Sequence, residues 1–106
     1  MYVTVITCEP LAGKSSQFRS HFEQVSQSIA DMPGVVSSDS FITEDGQLVA
    51  VLNLEDEAVH RKLFVDENGP FHNLVRDLNL SATGRLVRTL SGNSTLVPSK
   101  EPASVR

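Results

Sequence analysis

The chain has 106 residues, 40% of them apolar and 21% charged, and a formal net charge of −4. That is enough for one compact domain with its own core and too little for two. Nine Lys and Arg stand against thirteen Asp and Glu, and eight acids with no base lie between Arg19 and Arg61. No basic footprint for a phosphate backbone exists, so nucleic acid is not an expected partner. The lone Cys8 has no disulfide partner within the chain, and Met1-Tyr2-Val3-Thr4-Val5-Ile6 carries no basic n-region or cleavage pattern. With no apolar run near the ~20 residues that span a bilayer, the expectation is a cytoplasmic protein without membrane contact.

Residues 2–8 are rich in Val, Ile and Thr and stop at Glu9-Pro10-Leu11-Ala12-Gly13, which reads as a strand followed by a loop. Ser15 or Ser16 is placed to cap a helix. Its apolar residues Phe18, Phe22, Val25, Ile29 and Met32 recur in steps of four and three, and Pro33-Gly34 closes it. Residues 35–43 and 48–54, joined by Glu44-Asp45-Gly46-Gln47, read as a hairpin. A short helix follows, with Glu55, Asp56 and Glu57 at its start and Arg61 and Lys62 near its end, as the helix dipole favours. Asp66-Glu67-Asn68-Gly69 interrupts it. Pro70 then opens a further helix with Phe71, Leu74, Val75 and Leu78 on one face, and residues 83–90 form the last strand.

The order is α+β and ferredoxin-like: βαββαβ with a four-stranded antiparallel sheet. The expected domain covers residues 1–91, and residues 92–106, with Pro98 and Pro102, form a polar tail. In the strand over residues 48–54, Leu48, Ala50, Leu52 and Leu54 occupy one pleat face, and Val49, Val51 and Asn53 the other. A strand apolar on both sides needs cover on both sides, and two helices cover only one face of a four-stranded sheet. A second copy packed sheet to sheet is therefore the expected partner, since two-fold homodimers are the commonest assemblies.

Several patterns carry less than they promise. Gly13-Lys14-Ser15 sits where a phosphate loop would, but that loop needs Gly where this chain has Cys8. Glu57 and His60, three apart on a short helix, could face one metal, yet neither His21 nor His72 completes a ligand spacing, so no metal site is expected. Ser, His and Asp occur without a G-x-S-x-G elbow. Cys8 reads as a packing residue unless a positive charge activates it.

The residues with more to offer are polar side chains beside apolar faces. His72, next to Phe71 at the edge of the last helix's apolar stripe, is the candidate catalytic group, a base or donor in a pocket, or else a helix residue making one structural bond. Asn53 is a pocket donor or the cap of the next helix. Arg88, between Leu86-Val87 and Thr89-Leu90, salt-bridges across the sheet or meets an acidic ligand.

The layout resembles the antibiotic biosynthesis monooxygenase superfamily over roughly residues 1–91. The carriers are Pro10-Leu11-Ala12-Gly13-Lys14, Met32-Pro33-Gly34-Val35, the hairpin, Leu54-Glu55-Asp56-Glu57-Ala58 and Gly69-Pro70-Phe71-His72. The resemblance implies a dimeric α+β barrel with an apolar cavity between the sheet and its helices. It also implies a cofactor-independent monooxygenase acting on a small aromatic or quinol-like compound, with His72 catalytic and Asn53, Arg88 and Phe71 contacting substrate. His72 also resembles the haem-ligating helix histidine of a haem-degrading branch, whose Asn, Trp and His set lacks its Trp here. With no Trp and a single Tyr, a non-catalytic dimer that binds a small molecule, or serves in assembly, on the same fold stays open as the alternative.

Overall fold

A computed structural model describes residues 1–95. Strand β1 (Tyr2–Pro10) leads to helix α1 (Ser15–Ala30), the hairpin strands β2 (Val35–Ile42) and β3 (Leu48–Leu54), then helix α2 (Glu57–His60). A π-helical turn (Arg61–Val65) continues α2 directly, followed by α3 (Pro70–Asp77), a 3-10 turn (Leu80–Ala82) and β4 (Gly84–Asn93). The sheet order is β2-β3-β1-β4 with every neighbouring pair antiparallel. This is the ferredoxin-like topology that the element order predicts. No helix among the described residues is long and apolar enough to cross a membrane.

Residue spacing and the folded chain part at element ends. The residue preceding α1 is Lys14, which makes no side-chain cap, and Ser15 is already helical. Gly13 (φ 76°) turns the chain one residue earlier than the Ser-cap reading assumes. Met32 lies beyond α1, half-buried in the turn where its carbonyl accepts from Val35 N–H. Asp56, not Asn53, caps α2, its carboxylate accepting from Val59 N–H at 3.0 Å. β4 runs three residues past Leu90, because β1 offers Tyr2, Val3 and Thr4 as partners for Asn93, Gly92 and Ser91. Of the segment read as a tail, 92 and 93 thus belong to the sheet, and 96–106 lie outside the described residues.

The core lies on one sheet face. Phe18, Phe22, Val25 and Ile29 of α1 meet Tyr2, Leu48, Ala50, Leu52 and Leu54 of the sheet and Leu63 of the π-turn, with Leu54 at 0% exposure. α3 contributes no fully buried residue, although Phe71, Leu74 and Leu78 pack half-buried against this cluster. Gly34 (φ 90°) brings the chain so close to Val59 that a Cβ would stand 2.6 Å from that side chain. The helix stop and the start of α2 are therefore packed together, with Glu55 N–H donating to the Gly34 carbonyl.

One polar contact is set inside this core. Thr4, 0% exposed, places its hydroxyl 2.8 Å from Nδ1 of His60, itself 8% exposed. The His60 ring also lies 5.0 Å from that of Tyr2 and 5.9 Å from that of Phe64. Burial, and then the neighbouring Arg61 cation, hold the His60 pKa below its usual value, with Glu57 opposing. An unfolded chain therefore binds this proton at higher pH than the native protein does, and stability rises with pH through that window. Lowering the pH from about 7.5 to about 5 is expected to lower Tm, and His60→Phe, which keeps the ring contacts, to flatten that dependence. An unchanged slope of Tm against pH in the variant would assign the effect to another group.

Candidate active site

Between the sheet and the helices lies a cavity of about 450 Å³, within the range of small-molecule pockets, ~300–1,000 Å³. Ile6, Ala50 and Leu52 form its sheet side, and α1 supplies Phe18, Phe22, Val25 and Ile29. Phe64 of the π-turn and Phe71, His72 and Val75 of α3 close the far wall. Phe71, His72 and Val75 of α3 stay half-buried where they border this space. Among the described residues the polar groups around the lining are Cys8, Ser26, Ser38, Ser81, Arg85 and His72, with no carboxylate.

His72 is held by the π-turn. The turn closes with Asp66 N–H donating to the Arg61 carbonyl, and a helical segment of this kind leaves its last carbonyls without intrahelical donors. The Phe64 carbonyl is one of these, and His72 Nε2 lies 2.9 Å from it. A carbonyl only accepts, so Nε2 carries the hydrogen and Nδ1 of the neutral ring keeps its lone pair. The ring is further fixed edge-on to Phe71, at 5.5 Å and 77°, and Phe71 packs at 5.4 Å on Phe64. Tyr2, His60, Phe64, Phe71 and His72 thus form an unbroken run of ring contacts from β1 to the cavity wall.

The other candidates are placed elsewhere. Phe71 borders the cavity beside His72. Asn53 stands on the opposite sheet face, where its Nδ2 donates to Ser37 Oγ at 2.8 Å. Arg88 pairs in register with Thr7 and is also absent from the lining. Glu57 is exposed and bonded to Arg61 at 3.0 Å while His60 turns inward, so the two do not converge. The chain's one Tyr faces His60 in the core. Sequence reasoning missed Ser26, Ser38, Ser81 and Arg85. Ser26 directly follows Val25 on the buried helix side, whereas Arg85 is revealed only by strand pairing opposite Glu9, with which it forms an ion pair.

Haem does not fit these residues. Of the Asn and His that the chain retains, His72 alone borders the cavity, and its Nε2 is committed to a backbone carbonyl.

No protein-family model and no curated protein matches the chain. Among solved structures it is similar to a candidate antibiotic biosynthesis monooxygenase of Deinococcus radiodurans, with TM-score 0.70 and 10% identity over 93% of this chain and 97% of that one. It is also similar to SnoaB, a cofactor-independent oxygenase from Streptomyces nogalater, with TM-score 0.67 and 17% identity over 92% and 97%. A candidate monooxygenase of the same kind from Nitrosomonas europaea matches with TM-score 0.64 and 15% identity over 91% and 100%. The chain has the fold of the antibiotic biosynthesis monooxygenases over nearly its whole length.

Two features of the cavity are open to measurement. Burial pushes the Cys8 thiol up to about 11, which leaves about one molecule in a thousand as thiolate at pH 8, against about a quarter for a free thiol. Iodoacetamide is expected to alkylate Cys8 roughly a hundredfold more slowly than a free thiol, and equal rates would show an activated cysteine. At the start of β4, a Cβ on Gly84 would collide with the Phe18 ring. Gly84→Ala is accordingly expected to cost ~1–3 kcal/mol in denaturant unfolding.

Proposed function

We propose that the chain is a cytoplasmic, homodimeric, cofactor-independent monooxygenase of the antibiotic biosynthesis monooxygenase type, acting on a small aromatic or quinol-like compound. The observation that carries this reading is His72 in the wall of an apolar cavity of about 450 Å³, with one ring nitrogen bonded to the Phe64 carbonyl and the other keeping its lone pair. A protein of similar fold adds support, since SnoaB is a cofactor-independent oxygenase.

The chemistry uses electrons from the substrate. His72 Nδ1 takes a proton from an acidic ring position, which leaves an electron-rich carbanion or phenolate. That anion gives one electron to O₂, the two radicals combine into a peroxide on the ring carbon, and loss of water leaves a carbonyl. Overall CH₂ + O₂ becomes C=O + H₂O, so no outside reductant is consumed. The apolar wall favours the aromatic body, Phe71 offers it a ring to pack on, and exclusion of water strengthens the charges formed.

The absence of Trp from the chain and the position of Tyr2 outside the cavity favour a second reading, binding without turnover. Oxygen uptake with a panel of polycyclic phenols and quinols separates the two. Turnover by the parent protein, lowered ~10²–10⁴-fold in His72→Ala with binding retained, is the expected result. Binding without oxygen uptake by the parent would establish the second reading, and full activity in His72→Ala would remove His72 from the chemistry.

A further inference from the structure

No described helix packs on the sheet face turned away from α1 and α3. Strand pairing sets its residues in rows: Phe41–Val49–Thr7–Arg88, then Asp39–Val51–Val5–Leu90, then Ser37–Asn53–Val3–Gly92. Val3, Val5 and Val51, part-exposed, and Val49, buried to 7% exposure by its neighbours, make the centre apolar, and Phe41 and Leu90 each remain 53% exposed at opposite edges. Exposed apolar surface this extensive marks an interaction site. Beyond Thr7, Glu9 and Arg85 neutralise each other within the protomer. Asp39 on β2 and Arg88 on β4 have no ion-pair partner among the described residues, and the Asp39 carboxylate accepts only from Ser40 N–H.

Two sheets packed face to face can be related by a two-fold axis along the strands or across them. An axis across the strands sets β2 over β2 and β4 over β4, so that acid faces acid and base faces base. An axis along the strands sets β2 of one copy over β4 of the other, and each Asp39 then comes within one row of an Arg88. We propose that the uncovered face docks a second copy of this chain with the two-fold axis along the strands, and that Asp39 and Arg88 pair across the interface twice and select this orientation. Like charges brought together in the alternative arrangement reject it, which is how opposed charges specify register more than affinity. This rests on the homodimer proposed above and adds which residues fix its geometry.

Sedimentation equilibrium on the full chain, over a concentration series, tests it. The parent is expected to be a dimer, Arg88→Glu and Asp39→Arg each to raise the dimer Kd about tenfold or more, and the double variant to return it to within a few-fold of the parent. A monomeric parent at tens of micromolar would overturn the homodimer itself. Single variants that match the parent, or a double variant no better than the singles, would overturn the pairing and leave the homodimer standing.

Crosslinking gives a readout independent of affinity. With the strands ~4.8 Å apart, the two Asp39 residues of the proposed dimer are three strand spacings, ~14 Å, apart laterally, and each lies much nearer the other copy's residue 88. In a Cys8→Ala background, a short bismaleimide should join subunits of Asp39→Cys/Arg88→Cys and not those of either single cysteine variant. Crosslinking by Asp39→Cys alone would place the axis across the strands and overturn the proposal.

Discussion

Strand β3 lies between β1 and β2 with apolar side chains on both pleat faces, and the described residues supply helices for one of them. On that side α1 presses Phe18, Phe22, Val25 and Ile29 onto Ala50, Leu52 and Leu54, and removal of this surface from water is the dominant favourable term in holding the domain together. The remaining helical material is short. A four-residue α2, a π-turn and an eight-residue α3 roof the rest of the sheet without filling the space beneath. Both the cavity and the uncovered rear face thus follow from one mismatch, a sheet with more apolar surface than its own helices can occupy.

Within that mismatch two histidine rings are tied down by specific partners. The Thr4–His60 contact satisfies two buried side chains at once, in a region where an unmade bond is costly. His60 ends α2 and begins the π-turn, whose Phe64 carbonyl receives His72. The geometry at the cavity wall is consequently continuous with the core through three aromatic contacts, not suspended from a surface loop.

Much of this was legible in residue spacing. The stripe of Phe18, Phe22, Val25 and Ile29 located α1 and its buried face, the apolar run of residues 48–54 matched β3 end to end, and Pro70 marked the start of α3. What spacing could not convey were matters of pairing. Alternation along residues 48–54 already set Asn53 on the face away from Leu52 and Leu54, but the face of Arg88 follows from its pairing with Thr7, beside a register shift that no local pattern announces. The π-turn has no spacing signature, and it decides where Phe64 points. The Thr4–His60 bond joins residues 56 positions apart, beyond any local pattern.

α3 packs Leu74 and Leu78 on the core but borders the cavity with Phe71 and Val75, and none of its side chains is fully buried. Local stability follows the density of buried contacts, so this helix belongs to the part of the fold that opens at least cost, well before the sheet and α1 give way. A ligand settled in the cavity would give Phe71 and Val75 further packing partners, and so would stiffen the helix that carries His72.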